Sequence, residues 1–526
     1  MSRHTMGIGP SQPIRIATCV TTDMDENIYS SKELDDQDVV VSLPIDEKKL
    51  VKGYFFKNVT TYTEPPKKIQ KVSLALREDL TLPKFIDNFQ KRWRNKENLK
   101  ENGVELLSNP FKVCVVKDVI KDKEFLKKVV EEFNEIRWNK RSLDLYEFFQ
   151  STDLKKMKGP HVDVVYNFLK IELKSWIEML TEFQLTDISA TCSLYGQTDY
   201  LLVHDDQQED RLIAFVLYFS GPREWLSHHG GALQLFSKDT NGEPLVPIRD
   251  IFPSNNQLVF FQVTNDSYHQ VAEVLNWDDC RMSINGWFHT KTPLVFNTPL
   301  YIKPTYGLFC DITMIPHNID VDLKLWIQPV YLDPENAQHI QKQMEEDSEI
   351  SLRNFLTDMA WEQMYNVIQS RELKWVKVGP PNRRSYDILH LDDTPESLLD
   401  FLNLFSSQQF FSLLKEYTDL DLKSYHYELQ KWTSESYSLL SDYDWSSLKE
   451  LDLIFYLGPK NLCGSVIGGR TIYVAMEEEI QQALIVLDPC ENCLNIVYRD
   501  SARVTKYISK TSAISSFYML IFSYSE

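Results

Sequence analysis

Two imidazoles and a carboxylate, His204, Asp206 and His269, followed by Arg281 and Ser283, are the residues of this 526-residue chain whose types and order could do chemistry. A pair of histidines and one carboxylate on one side of a metal ion leave coordination positions open on the other, the arrangement of non-haem Fe(II) oxygenases. His204 and Asp206 stand as His-x-Asp at the end of the apolar run LLVHDDQ. Residues i and i+2 of a strand project to one face, so this run is expected to present both together, with Asp205 facing away. His269 follows the strand-like QLVFFQV and the turn-like TNDS, and is expected to begin a further strand. The segment CRMSINGWF alternates in period two, which puts Arg281 and Ser283 on one face. A planar guanidinium can hold a carboxylate through two parallel hydrogen bonds, and a nearby hydroxyl can donate a third. The pair therefore suits the far carboxylate of 2-oxoglutarate.

Other groups compete for attention. His228 and His229 precede GGALQLF, but adjacent residues on an extended segment point to opposite faces and neither forms an i, i+2 pair with a carboxylate, so they are set aside as ligands. Gly230 and Gly231 behind them are expected to let the chain turn where strands pack closely. Cys490 and Cys493 form a single C-x-x-C in a turn-like DPCEN, without the second pair or the histidines that a zinc site needs. The basic run KRWRNKENLK reads as the solvated face of a helix.

The elements that must hold the site follow from periodicity. Phe125, Leu126, Val129, Val130, Phe133 and Ile136 recur at helical spacing, as do Val165, Leu169, Leu173, Trp176, Ile177 and Leu180. Both helices are expected to pack on a barrel. From about residue 188 to 295, short apolar runs separated by turns give the many-stranded pattern of a double-stranded β-helix, or jelly roll. Asp333 as N-cap and Pro334 at the first helical position predict a helix reaching Leu356 that bridges the two halves. The second half repeats the first in outline, SYSLLSDYDW beside DYLLVHDDQ and ELDLIFYLG beside RLIAFVLYFSG. Ser441 and Tyr443 then stand where His204 and Asp206 do, and Thr505 falls opposite His269, so this second barrel is expected to lack iron ligands. The fold class is mainly β with flanking helices (α+β), built as two double-stranded β-helix domains with the N-terminal one catalytic. Residues 1–75 read as an extended or partly disordered leader, 76–305 as the catalytic barrel and 306–526 as the degenerate one.

The stretches ATCSLYGQTDYLLVHDDQQEDRLIAFVLYFSGPREWLSHHGGALQLFS, LVFFQVTNDSYHQVAEV and RMSINGWFH resemble the ribosomal prolyl 3-hydroxylases, and the likeness continues through WIQPVYLDPENAQHIQKQMEEDSEISLRNFL. It extends over roughly residues 80–526. The resemblance implies that His204, Asp206 and His269 bind Fe(II) and that Arg281 pairs with 2-oxoglutarate, with Tyr195, Tyr218 and Ser283 also reaching this co-substrate. It further implies dioxygen as the second co-substrate, ascorbate as supporting reductant, and a prolyl residue of the small-subunit ribosomal protein at the decoding centre as target, hence a role in translation. Two other readings share the same residues. One is an oxygenase acting on lysine or asparagine; those jumonji-type enzymes usually anchor 2-oxoglutarate with a lysine from an earlier strand, unlike Arg281. The other is a non-catalytic two-barrel scaffold that binds proteins.

Composition sets the boundaries. Hydrophobic residues make up 43% of the chain, ample for large cores, and its length exceeds what one core usually fills. No apolar stretch is long enough to span a membrane, and MSRHTMGIGPSQPIR lacks the apolar core of a secretory signal. Eight scattered cysteines form no disulfide framework, so a reduced, cytoplasmic and nuclear setting is expected, in which the sequons at Asn58 and Asn265 carry no meaning. A formal charge of −20 argues against direct nucleic-acid binding and favours a basic protein partner. The homodimeric state is left open.

Overall fold

β-branched and aromatic side chains crowd the runs that become strands, since their shape suits a pleated, half-buried surface. They build two large antiparallel sheets, each drawn mainly from one half of the chain. The computed structural model describes residues 28–30, 74–208, 210–219, 224–296, 313–390, 394–440, 450–477 and 480–526. The leader expected before residue 76 thus lies almost wholly outside the described residues. Its strand Ile28–Ser30 pairs with Ile480–Leu487 of the second sheet. The boundary expected at 305 also falls outside them.

In the first sheet the order runs Pro244–Ile251, Leu233–Lys238, His269–Val271, Tyr200–His204, Tyr146–Gln150, Ile188–Tyr195, Arg281–His289, Arg211–Tyr218, Gln257–Gln262 and Val113–Val116, with short strands beyond. The sheet folds over on itself. Leu233, Leu235 and Ile251 from one end of this order share a buried cluster with Val113, Val259 and Ala214 from the other, as two facing layers require. On its outer side lie three helical stretches, Pro83–Asn95, Lys123–Phe133 and Val162–Thr181, the last with a π-helical turn at Phe168–Leu173. Phe125, Leu126, Val129 and Phe133 are buried there, as are Val165, Leu169, Leu173, Trp176, Ile177 and Leu180, in the helical spacing that predicts these faces. Asp122 caps the second helix by accepting from the Phe125 N–H. In the basic run, Trp93 is buried while Arg92 and Arg94 meet Glu97 and Glu182 at the surface.

The second sheet has the same plan, and one hydrogen-bond pair marks the repeat. Asn256 and Asn492, both with positive φ, each exchange two side-chain bonds with the backbone of one residue, Ile120 and Leu356 respectively, both across 136 positions. Two sequence expectations need correction here. The helix begun at Pro334 stops at Asp347 instead of reaching Leu356, because Ser348 takes a left-handed conformation and Glu349–Arg353 pairs as a strand with Cys493–Arg499. Its Ala337, Ile340 and Met344 sit in the core of the second half, so it does not bridge the two.

The other correction concerns register. Val271 lies opposite both Leu201 and Leu233, whereas in the second sheet Thr505 lies opposite both Ser438 and Thr471. Thr505 therefore matches Val271, and Arg503, two residues earlier, holds the place of His269. Its guanidinium bonds the fully buried Asp452, which also accepts from Tyr473 Oη at 2.9 Å and from Ser523, with Arg499 3.9 Å away. Ser441 and Tyr443 lie outside the described residues.

Burial raises the Asp452 carboxyl, but Arg503 and Arg499 outweigh it and hold the group below the usual carboxylate range. A depressed folded-state value contributes stability above the unfolded-state value and loses it as pH falls through the folded one. Asp452→Ala leaves a buried guanidinium unpaired and is expected to cost about 3–5 kcal/mol at neutral pH. In urea titrations the gap between wild type and variant should narrow once the pH drops below about 4; a constant gap would refute this account.

Candidate active site

A strand end and a turn bring the first two candidate ligands together. Tyr200–His204 ends at the imidazole, and Asp206 beyond it has φ 63°, a left-handed conformation that a short side chain capable of local hydrogen bonds tolerates. Convergence thus comes from a turn and not from the strand periodicity expected of His-x-Asp. Asp205 does turn away, its carboxylate accepting from the Gln207 N–H at 3.1 Å. His269 begins its own strand and lies opposite His204. The Ser267 hydroxyl donates to the Asp205 carbonyl at 3.0 Å, tying the turn before His269 to the loop that carries Asp206.

The resulting geometry suits an ion. Asp206 Oδ1 lies 3.5 Å from His204 Nε2 and Oδ2 lies 3.4 Å from His269 Nε2. All three ligand atoms fall within 4.8 Å of one another, and no other such group of His, Cys, Asp or Glu occurs among the described residues. Each Nδ1 is 2.8 Å from a backbone carbonyl, Leu202 for His204 and Ser267 for His269. A carbonyl only accepts, so Nδ1 carries the proton and Nε2 offers its lone pair inward, as metal-ligating histidines require. Burial would raise Asp206, but the His204 hydrogen bond and both imidazoles hold it below the usual carboxylate range. Burial and the neighbouring His204 push His269 down to about 4, while Asp206 overcomes the same burial to raise His204. One carboxylate and at least one neutral imidazole therefore face the site.

Deeper in the barrel the strand Arg281–His289 lies between Ile188–Tyr195 and Arg211–Tyr218. Arg281 is opposite Tyr195, and Ser283 is opposite both Ser193 and Tyr218. Arg281 is only 2% exposed, yet among the described residues its guanidinium hydrogen-bonds a phenol and leaves Nε without a partner. Its Nη2 donates to Tyr218 Oη at 3.2 Å, and its guanidinium sits 4.8 and 5.0 Å from the rings of Tyr195 and Tyr218. Burial pushes the Tyr195 phenol up, so it stays a donor. Arg281 Nε, Ser283 Oγ, Ser193 Oγ, Asn285 Oδ1 and Trp287 Nε1 are buried without a hydrogen-bond partner among the described residues. Orphaned polar atoms on alternate residues of one strand are costly unless a ligand completes them. A carboxylate could complete Arg281 and Ser283, beside the hydroxyls of Tyr195 and Tyr218, whereas the Asn285 amide oxygen needs a donor.

Arg211, Asn285 and Trp287 escape sequence reasoning that stops at Arg-x-Ser, although the same alternation extends along INGWF. Arg211 stacks on Trp287 at 3.6 Å and is close enough to Asp206 to lower its carboxyl. Gly286 beside them is required by close approach, since a Cβ there would lie 1.9 Å from the Ser189 carbonyl oxygen. His228 and His229 sit on a short 3-10 turn outside the cluster, His228 exposed, and Gly230 and Gly231 behind them have φ of 70° and 66°. Cys493 is buried and Cys490 half-buried, both as free thiols.

A family model described as the 2OG-Fe(II) oxygenase superfamily matches residues 190–289, and one described as oxoglutarate and iron-dependent oxygenase degradation C-term matches 319–526. The chain is 32% identical over 480 residues to prolyl 3-hydroxylase sudestada1 of Drosophila melanogaster, covering 84% of this chain and 88% of that protein. It is 32% identical over 468 residues to prolyl 3-hydroxylase OGFOD1 of Xenopus laevis, covering 81% and 88%. Prolyl 3,4-dihydroxylase OGFOD1 of Ostreococcus tauri is 26% identical over 516 residues, covering 84% and 99%. A barrel with a His–Asp–His group, a buried guanidinium awaiting an anion and relatives matched along most of their length place this chain in the prolyl 3-hydroxylase family of 2-oxoglutarate and Fe(II)-dependent oxygenases.

Proposed function

We propose that this dioxygenase hydroxylates a prolyl residue of a small-subunit ribosomal protein at the decoding centre, and so acts on translation from the cytoplasm and nucleus. The single observation that carries the chemistry is the row from Arg281 to Trp287, which leads from an anion anchor to the Arg211–Trp287 stack beside Asp206. Support for the target comes from the family likeness and from the chain's net charge of −20, which attracts a basic protein. When bound, Fe(II), 2-oxoglutarate and dioxygen supply the oxidation, yielding succinate, carbon dioxide and a hydroxylated ring.

The protein's own part is orientation and exclusion of water. His204, Asp206 and His269 hold the ion from one side. Arg281, Ser283, Tyr195 and Tyr218 fix the far carboxylate of 2-oxoglutarate and so set the angle of its reactive end. Trp287, pinned by Arg211, offers a flat aromatic face against which a prolyl ring packs close to the Asp206 side of the site.

Asp206→Ala is expected to abolish iron-dependent succinate formation. Arg281→Ala should lose about 1.5–3 kcal/mol, the range for hydrogen bonds to charged groups, read as a KM for 2-oxoglutarate raised on the order of tenfold to a hundredfold. An unchanged KM would remove Arg281 from the anchor. Trp287→Ala should raise the KM for a prolyl peptide while leaving peptide-independent 2-oxoglutarate turnover near wild type; equal loss of both would place Trp287 in co-substrate binding instead. Incubation with the ribosomal protein should add the mass of one oxygen atom, or two, to a prolyl residue in tandem mass spectra. Addition to lysine or asparagine would overturn the proposed target chemistry, and no iron-dependent turnover of 2-oxoglutarate even with candidate peptides would favour a binding scaffold.

A further inference from the structure

The strands that carry His204 and His269 form a two-stranded ribbon within the first barrel, with His269 opposite His204 and Val271 opposite Leu201. The imidazoles occupy one end of it. At the other end the ribbon meets the second barrel, where the short segment Tyr507–Lys510 makes directed polar contacts to it.

Glu273, four positions past His269 and only 3% exposed, points its carboxylate at that segment. It accepts from the Ser509 hydroxyl, from Tyr507 Oη at 3.3 Å and from the Lys510 N–H at 2.8 Å. The Tyr507 ring also lies 4.4 Å, centroid to centroid, from Tyr200, on the same strand as His204. Tyr200 and Leu202 share a buried cluster with Tyr437, Leu439 and Tyr507 of the second half. The gripping segment is itself fixed in its own barrel, where Ile508 N–H donates to the Ser436 carbonyl at 3.0 Å and Ser509 N–H to that of Ile467 at 2.9 Å. The Glu273 carbonyl accepts from the Gly231 N–H at 3.0 Å, and a Cβ on Gly230 would lie 2.1 Å from that oxygen, so the same point is packed from the opposite side as well.

A buried carboxylate is costly unless its oxygens are fully hydrogen-bonded, and adhesion alone would be served as well by an apolar side chain. What three directed donors add is a defined position. We propose that the second barrel is a working part of the metal site: through Tyr507–Lys510 it clamps the ribbon, and Glu273 is the positioning residue that sets the His269 strand relative to His204. Four residues of extended chain span roughly 13 Å, so Glu273 acts through the strand and not by touching the ion.

The test is titration of Mn(II) into the metal-free, full-length protein in the presence of 2-oxoglutarate, following the electron paramagnetic resonance signal of free Mn(II). Glu273→Ala is expected to weaken Mn(II) binding on the order of tenfold, the effect typical of groups that orient metal ligands. Glu273→Gln keeps an acceptor oxygen and should stay within about threefold of wild type on the same scale. The double variant Tyr507→Phe with Ser509→Ala withdraws two of the three donors while leaving Glu273 in place, and should fall between them. Steady-state assays should show a raised Fe(II) requirement with an unchanged KM for 2-oxoglutarate, because Arg281 stands on a different strand. Wild-type Mn(II) affinity in Glu273→Ala, or in the double variant should Glu273→Ala not fold, overturns the proposal; a lowered melting temperature with unaltered metal affinity would show the contact to be adhesive only.

Discussion

Two backbone carbonyls decide what this protein can do. By accepting from Nδ1 of His204 and His269, the carbonyls of Leu202 and Ser267 force both imidazoles to offer Nε2 toward Asp206. Turn either ring over, and the donor set no longer faces a common point. The surrounding architecture serves this constraint: a strand that stops at His204, a left-handed residue at Asp206, and a serine hydroxyl that ties the two ligand-bearing loops. The helices on the outer side of the first sheet bury their apolar faces and give the strands a fixed back wall.

Much of this is legible in the chain. The order of His204, Asp206, His269, Arg281 and Ser283, the period-two run around Arg281 and the helical spacing before the barrel all correspond to local rules, and local rules survive folding. The failures have a shared cause. Strand periodicity does not extend past a strand end, which is why Asp206 reaches the site by a turn. Counting along the chain cannot see insertions between repeats, so Thr505 was expected where hydrogen-bond register puts Arg503. The helix from Pro334 ends early because strand pairing of Glu349–Arg353 outweighs its local helical pattern. The stacking of Arg211 on Trp287 becomes visible only when two strands lie side by side.

The two barrels are alike in backbone and opposite in polar chemistry. In the first, a guanidinium, two hydroxyls, an amide and an indole are buried with hydrogen-bonding capacity left over. In the second, the corresponding region is closed: Asp452 is met by Arg503, Tyr473 and Ser523. An interior with unmet polar groups awaits a ligand, whereas a saturated one has no use for it.

Arg503 has a consequence at the level of supply. Anything that binds only the folded form stabilises it in proportion to its abundance, so the first half draws part of its resilience from dissolved iron and a circulating metabolite. The second half carries its positive charge on its own Arg503 side chain and cannot be starved of it. Under scarcity, the two halves of one polypeptide should therefore differ in how readily they open, the catalytic one yielding while its twin keeps its shape.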